Sequence, residues 1–296
     1  MLKKALLLCN DKAGQGDVQK NIGIVAGILT EKVDDLTIRK GKKKGDLEEM
    51  CRKLDSEIEL LIIMGGDGTV HECVNGLNEL TAPPLIAIIP TGTCNDFARA
   101  LNLPLTVAEA AIVAINGQKQ KIDTGRVNDR TFTNFAGTGL IVDTSENINE
   151  ETKALTGPLS YLISAVKTAS DSRSFHYEIV IDGETMNGEA VLITVVNGRF
   201  IGTYELPFHN LSVQDGHLNV FLVKEGGLAV FKEWIQRKAF DALPDETTVI
   251  AKTAKTITLK TTETEKVDTD GDVYLQTPVE ISIGRPFTFM TDATSL

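Results

Sequence analysis

The sequence predicts a chain of class α/β plus all-β: an N-terminal open parallel-sheet domain of Rossmann-like type, then a C-terminal antiparallel β-sandwich domain. Three observations predict it. Leu60-Leu61-Ile62-Ile63-Met64 is an unbroken apolar run, as a parallel strand covered on both faces requires, and it leads into Gly65-Gly66-Asp67-Gly68 and a helical pattern. Pro84 to Ile89 repeats the arrangement and leads into Pro90-Thr91-Gly92-Thr93-Cys94-Asn95-Asp96. Near Lys121 helices become rare and short alternating strands take over.

The totals bound the rest. With 296 residues the chain makes one large domain or two ordinary ones, and 42% hydrophobic with 24% charged residues is the globular range. A net charge of −11 argues against non-specific nucleic-acid binding. Cys9, Cys51, Cys73 and Cys94 are widely separated, form no metal or redox pattern, and suit buried thiols in a reducing compartment. Lys3-Lys4 before Ala5 to Cys9 has the look of a short signal peptide, but the apolar run is too short and Leu8 is a poor residue before a cleavage site. The expectation is the first strand of a cytoplasmic protein.

In order, Leu2 to Cys9 is strand one, followed by the polar loop Asn10 to Gly16 and a helix from about Asp17 to Leu29. This second strand–loop–helix is either a phosphate-side loop or an ordinary connection. Leu36 to Arg39 is a short strand. Arg39-Lys40-Gly41-Lys42-Lys43-Lys44 is the strongest positive run, a solvated loop or a site for nucleotide phosphates or an anionic membrane surface. A helix from Asp46 to about Asp55 leads to the central strand. Beyond Lys121, Lys119 to Val127 and Thr131 to Ala136 flank Asn128-Asp129, and Ser174 to Ile181 and Gly188 to Val196 flank Asp182-Gly183; both read as hairpins. Helical patterns remain near Asn147–Leu155, Leu159–Thr168 and Leu228–Phe240. Late strands run near Thr248–Ala251, Thr256–Lys260, Val273–Gln276, Val279–Ile283 and Pro286–Phe289. Such strands build an antiparallel sandwich or barrel.

The central turn carries the chemistry. Gly65, Gly66 and Gly68 remove Cβ atoms where backbone must approach a ligand. The pattern from Val70 to Leu80 sets Val70, Cys73, Val74 and Leu77 on one helix face, and the free N–H groups at its start suit a phosphate. Asp67 can hold Mg²⁺ there. The plainer alternative is a capping box at Thr69-x-x-Glu72, and Thr93 and Asp96 have the same spacing. Two such turns after sequential parallel strands lie together at the strands' carboxyl ends, where open α/β sheets bind ligands.

Gly65-Gly66-Asp67-Gly68-Thr69 together with Pro90 to Arg99 resembles the diacylglycerol kinase catalytic-domain family, in particular its soluble bacterial lipid kinases. The first motif is shared with NAD kinases; the second is characteristic of lipid kinases. Glu72, Asn75, Gly76, Asp123-Thr124-Gly125, Asn197-Gly198, Ser212 to Leu218 and Thr269-Asp270-Gly271-Asp272 extend the match over most of the chain. The resemblance implies an ATP-binding domain over residues 1–126, to which residues 285–296 return, and a lipid-kinase domain over 127–284, with ATP in the cleft between them. It implies Asn10 and Gly14 on the first nucleotide loop. Gly66, Asp67, Gly68, Thr69, Val70, His71 and Glu72 would cradle phosphates, with Thr93 nearby. Asp67, Asp96 and Asp123 would form an acidic, Mg²⁺-linked network, and Asp270 would be the general base. Ser212, Asp215 and the carbonyl of His217 would bind a structural Mg²⁺. Read without the family, Asp270-Gly271 and Asp215-Gly216 are hairpin turns, and Asp123 a strand-end residue.

The expected activity is ATP- and Mg²⁺-dependent phosphoryl transfer to a lipid hydroxyl, that of diacylglycerol first, by an enzyme that visits the membrane surface peripherally. The rivals are an NAD kinase and a catalytically silent nucleotide- or lipid-binding regulator. A homodimer is compatible with the sequence, which fixes no oligomeric state. The departures from the family pattern are Asp11 where Pro is common, Gly41 near a nucleotide-contacting Thr, and Gly202-Thr203-Tyr204-Glu205-Leu206-Pro207-Phe208 in place of a glycine-rich loop. Tyr204 and Phe208 are read as an acyl-chain path or as core.

Overall fold

The computed structural model describes residues 2–10, 18–142, 173–206, 212–224, 227 and 247–292. Two compact units emerge, one running to Ile122 and resuming at Arg285, the other spanning Asp123–Gly284.

The first unit runs β1 (Leu2–Asn10), α1 (Val18–Leu29), β2 (Val33–Gly41), α2 (Asp46–Arg52), β3 (Leu60–Gly65), α3 (Asp67–Leu77), β4 (Leu85–Pro90), α4 (Asp96–Ala100), α5 (Val107–Asn116) and β5 (Gln118–Ile122). The pairs β1–β2, β1–β3 and β3–β4 are parallel, as the apolar runs require. One face of this sheet, carrying Leu7, Ile62 and Ile89, packs with Ile22, Val25 and Leu29 of α1 and Ala110, Ala111 and Ala114 of α5. Strand alternation turns Leu6, Leu8, Leu61 and Ile63, all buried, to the other face.

Several boundaries move from the sequence reading. β2 is longer than Leu36–Arg39, α2 stops at Arg52, and α3 begins at Asp67 rather than Val70. Helix α5 was not anticipated, although Thr106 and Glu109 open it in a capping-box pattern and Gly117 follows its last residue. All four cysteines are buried and none forms a disulfide. Cys73 and Cys51 meet between α3 and α2, and that hydrogen bond, with burial, pushes the Cys73 thiol well above its ordinary range.

The second unit holds β6 (Gly125–Val127), β7 (Arg130–Phe132), β8 (Phe135–Gly139), β9 (Phe175–Ile181), β10 (Glu184–Ala190), β11 (Leu192–Val196), β12 (Phe200–Ile201), β13 (Tyr204–Glu205), β14 (Leu218–Val223), β15 (Val249–Ala254), β16 (Thr256–Thr261), β17 (Lys266–Thr269), β18 (Asp272–Gln276) and β19 (Val279–Ile283). They form two six-stranded sheets, β10-β9-β16-β19-β6-β7 and β15-β14-β11-β8-β17-β18, with β12-β13 as a separate ribbon. One core cluster draws Ile179, Ile257 and Ile281 from the first sheet and Ile193, Val195, Val220 and Val267 from the second, so the two sheets are packed as a sandwich. Finally β20 (Phe287–Thr291) enters the first unit's sheet, giving the order β2-β1-β3-β4-β20-β5.

The expected strand from Lys119 to Val127 is broken: β5 and β6 belong to different sheets, and Asp123-Thr124 lies at the break. The hairpins at Asn128-Asp129 and Asp182-Gly183 form where the turn residues placed them. Asp182 (φ 47°) and Gly183 (φ 90°) make the twisted two-residue turn that matches strand twist. The Asp182 carboxylate also accepts the N–H groups of Thr256 (2.8 Å) and Lys255 (3.0 Å), and the Thr256 bond chiefly holds its pKa below the ordinary value. A depressed folded-state pKa gives stability that is present above the unfolded value, about 3.9, and is lost as pH falls through the folded one. Asp182→Asn is therefore expected to lower the thermal midpoint at pH 7, with the gap to wild type closing below about pH 4. A gap of constant size in melts across that range would contradict this. The helical patterns at Asn147–Leu155, Leu159–Thr168 and Leu228–Phe240 lie outside the described residues.

Candidate active site

The site residues fall into two groups, one in each unit. In the first unit, β3 ends at Gly65, Gly66 is the extended N-cap residue of α3, and the cap makes no side-chain hydrogen bond. The capping-box alternative is thereby corrected: Thr69 and Glu72 lie inside the helix, because the glycine turn enters α3 one turn earlier than the polar pattern suggests. The N–H groups of Thr69 and Val70 bond to the Gly66 carbonyl at 2.9 and 3.1 Å. Helix geometry directs the leading N–H groups toward the turn.

The second glycine turn presses on the first. A Cβ on Gly92 would lie 2.5 Å from the Gly66 Cα, and one on Gly65 would lie 2.4 Å from the Thr69 side chain. Gly68, by contrast, is exposed and opens onto space that a Cβ would enter unhindered. Asn95, at φ 53°, fixes the second turn by accepting from Gly92 N and donating to Gly92 O, both at 2.9 Å. Thr91 N donates to Gly65 O at 3.0 Å. Asp67 bridges the turns: its Oδ1 accepts the Phe97 N–H at 3.0 Å, in the first turn of α4. Asp96, the first residue of α4, is fully buried, whereas Thr93 is exposed. Capping at Thr93 and Asp96 is likewise corrected, since Asn95 is the N-cap of α4.

Asn10, at the end of β1, donates to Thr69 Oγ1 at 3.4 Å. It pairs in register with Gly41, where a Cβ would sit 2.7 Å from Asn10 Oδ1. That contact gives a reason for glycine at 41. Val70, His71 and Glu72 are buried within α3. Gly14 and Phe208 lie outside the described residues. Gly202 (φ 60°) and Thr203 (φ 72°) form the tight turn between β12 and β13.

In the second unit the loop Ser212–His217 meets Asp123. Asp123 N donates to Val213 O at 2.7 Å, and Gly216 N donates to Asp123 Oδ2 at 2.8 Å. Ser212 Oγ accepts from Gln214 N (3.1 Å), and Asp215 Oδ1 accepts from His217 N (2.9 Å). No cluster of three His, Cys, Asp or Glu side chains forms among the described residues. The donors gathered here are hydroxyl, carboxylate and carbonyl oxygens, the hard set that Mg²⁺ prefers.

Asp270 and Gly271, at φ 53° and 94°, make the two-residue turn joining β17 to β18. The hairpin reading thus holds for the backbone, yet the side chain is turned inward and is 5% exposed. Asp270 Oδ2 accepts from Thr133 N (2.7 Å) and Thr133 Oγ1 (3.1 Å); Oδ1 accepts from Asn134 N (2.8 Å) and Phe135 N (3.0 Å). Next to it, Thr269 Oγ1 donates to the Tyr274 hydroxyl at 2.7 Å, and the Arg130 guanidinium lies 5.1 Å from the Tyr274 ring centroid. Burial pushes the Tyr274 phenol up. Sequence reasoning passed over Thr133 and Asn134, which have no local motif and meet Asp270 across more than 130 positions.

Residues 4–127 match the family model described as diacylglycerol kinase catalytic domain, and residues 136–287 match the YegS C-terminal NAD kinase beta sandwich-like domain. A Staphylococcus carnosus protein named "Putative lipid kinase" is 34% identical over 288 residues, 95% of this chain and 94% of that protein. One of the same name from Staphylococcus aureus strain Newman is 33% identical over 286 residues, 94% and 93% of the two chains. Among solved structures, "a putative diacylglycerol kinase" from Bacillus anthracis str. Sterne superimposes with a TM-score of 0.91 at 38% identity, over 99% of this chain and 98% of that one. With both halves matched and relatives aligned nearly end to end, the chain belongs to the diacylglycerol kinase catalytic-domain family, the family of the lipid kinases.

Proposed function

We propose that this chain is an ATP- and Mg²⁺-dependent lipid kinase that transfers the γ-phosphoryl group to the hydroxyl of diacylglycerol, giving phosphatidic acid. The observation that carries the reading is the pair of interlocked glycine turns at Gly66 and Gly92, backed by the family. In this reading the first unit, Met1–Ile122 with Arg285–Leu296, holds the nucleotide, and the second, Asp123–Gly284, activates the lipid. Backbone N–H groups of Gly66, Asp67 and Gly68 take the phosphates, with Thr69, Asn10 and Thr93 beside them. Val70, His71 and Glu72 support the turn from within α3. Asp67 and Asp96 are the nucleotide-side carboxylates that recruit the metal. Ser212, Asp215 and the His217 carbonyl fit a second, structural Mg²⁺, with Asp123 tied to their loop. Mg²⁺, when bound at the nucleotide, neutralises phosphate charge during transfer.

Asp270 takes the proton from the lipid hydroxyl. Its hydrogen bonds from Thr133, Asn134 and Phe135 hold the carboxylate rigidly, as positioning of a general base demands. No helix among the described residues is long and apolar enough to cross a membrane. The exposed residues Arg39 and Lys42–Lys44 are the proposed contacts for an anionic membrane surface.

The test is transfer from γ-labelled ATP with Mg²⁺ to a panel of diacylglycerol, monoacylglycerol, phosphatidylglycerol, undecaprenol, sphingosine and NAD in mixed micelles. Labelled phosphatidic acid is expected. A different labelled lipid would reassign the acceptor, and labelled NADP would replace the lipid-kinase reading altogether.

A further inference from the structure

Asn197 is fully buried beyond the end of β11. Its Nδ2 donates to the Asp123 carbonyl at 2.9 Å and to the Thr133 carbonyl at 3.0 Å. Its own N–H donates to the Asn134 carbonyl at 2.9 Å. Flipping the amide would set Oδ1 against two carbonyl oxygens, so the orientation is fixed by chemistry. Oδ1 itself has no hydrogen-bond partner among the described residues. Thr133 and Asn134 are also donors to Asp270: their N–H groups grip its carboxylate while their carbonyls are held by Asn197. On its other side Asn197 holds Asp123, whose carboxylate accepts from Gly216 in the Ser212–His217 loop.

We infer that Asn197 is a positioning residue: one buried amide ties the clamp around Asp270 to Asp123 and its loop, and sets the spacing of the two carboxylates. The fixed amide reaches both Asp123 and Thr133; an aspartate at 197 would lack both donors and repel both carbonyls. The kinetic consequence rests on Asp270 being the base, as proposed above. The geometric one does not.

Two measurements on Asn197→Ser separate these. Amide hydrogen exchange of the apo protein should show Thr133, Asn134, Phe135 and Gly216 exchanging faster together, by about tenfold or more, as loss of a buried hydrogen-bond pair implies. Amides in β3 should be unaffected. In the kinase assay kcat should fall by about 10²-fold, the scale set by misplacing a reacting group by an ångström, with the KM for ATP unchanged. In the Asp270→Asn background the same substitution should cost little more, because it acts through that carboxylate. An unmoved Gly216 amide overturns the tie, and an unchanged kcat, or losses that multiply with Asp270→Asn, overturns the positioning role. If wild type phosphorylates no lipid, the proposed function fails while the exchange experiment still judges the tie. Asn197→Ala is the second variant should the serine fail to fold. If neither folds, the wild-type protection factors decide: residues 133–135 and Gly216 must open as one unit, and separate opening refutes the tie.

Discussion

Asp270→Asn is expected to lower kcat by about 10²–10⁴-fold, the usual worth of a positioned general base, while ATP binding changes modestly. The fold adds a second effect that must be measured beside it. The asparagine amide nitrogen would confront either Thr133 N and Oγ1 or Asn134 N and Phe135 N, all of them donors to the native carboxylate. Leaving such groups unsatisfied costs about 1–3 kcal/mol. The variant should therefore melt several degrees lower, and rates belong at a temperature where circular dichroism shows it folded. A folded variant that keeps its turnover would remove Asp270 from the chemistry and leave it as a hairpin anchor.

Gly92→Ala should be nearly as damaging on the nucleotide side. Its new Cβ would fall 2.5 Å from the Gly66 Cα and 2.8 Å from Asn95 Oδ1. One of those neighbours is backbone, so the two turns must separate. That moves the N–H groups proposed to hold the phosphates, and ATP affinity by titration calorimetry should fall by about 10²-fold. Gly23→Ala, in α1 with nothing near its Cβ, is the matched control and should slightly stabilise the chain without touching affinity. ATP bound normally by Gly92→Ala would show that the interlocked turns are not the phosphate cradle.

Local patterns in this chain were readable; long-range ones were not. The run Leu60–Met64 declared a buried strand because both faces of a parallel sheet are covered, and the glycines after it declared a turn. The start of α3 was misplaced because Thr69 and Glu72 imitate a capping box although Gly66 is the cap. The sheet change at Asp123 was hidden because only Asp123 and Thr124 separate β5 from β6 and no proline interrupts the stretch. Asp270-Gly271 reads as a hairpin turn and is one; that its carboxylate closes on Thr133 to Phe135 depends on β8 pairing with β17, a contact that no sequence window contains. Asn197-Gly198 carried a family pattern but no sign that its amide bridges two loops.

The most direct measurement is label transfer to diacylglycerol from γ-labelled and, separately, α-labelled ATP, each with Mg²⁺ and with the metal chelated. Phosphatidic acid labelled from the γ position alone, absent under chelation and restored by added Mg²⁺, is the result expected of a Mg²⁺-dependent lipid kinase. Protein that binds ATP yet labels neither diacylglycerol nor any other lipid in the panel would contradict it.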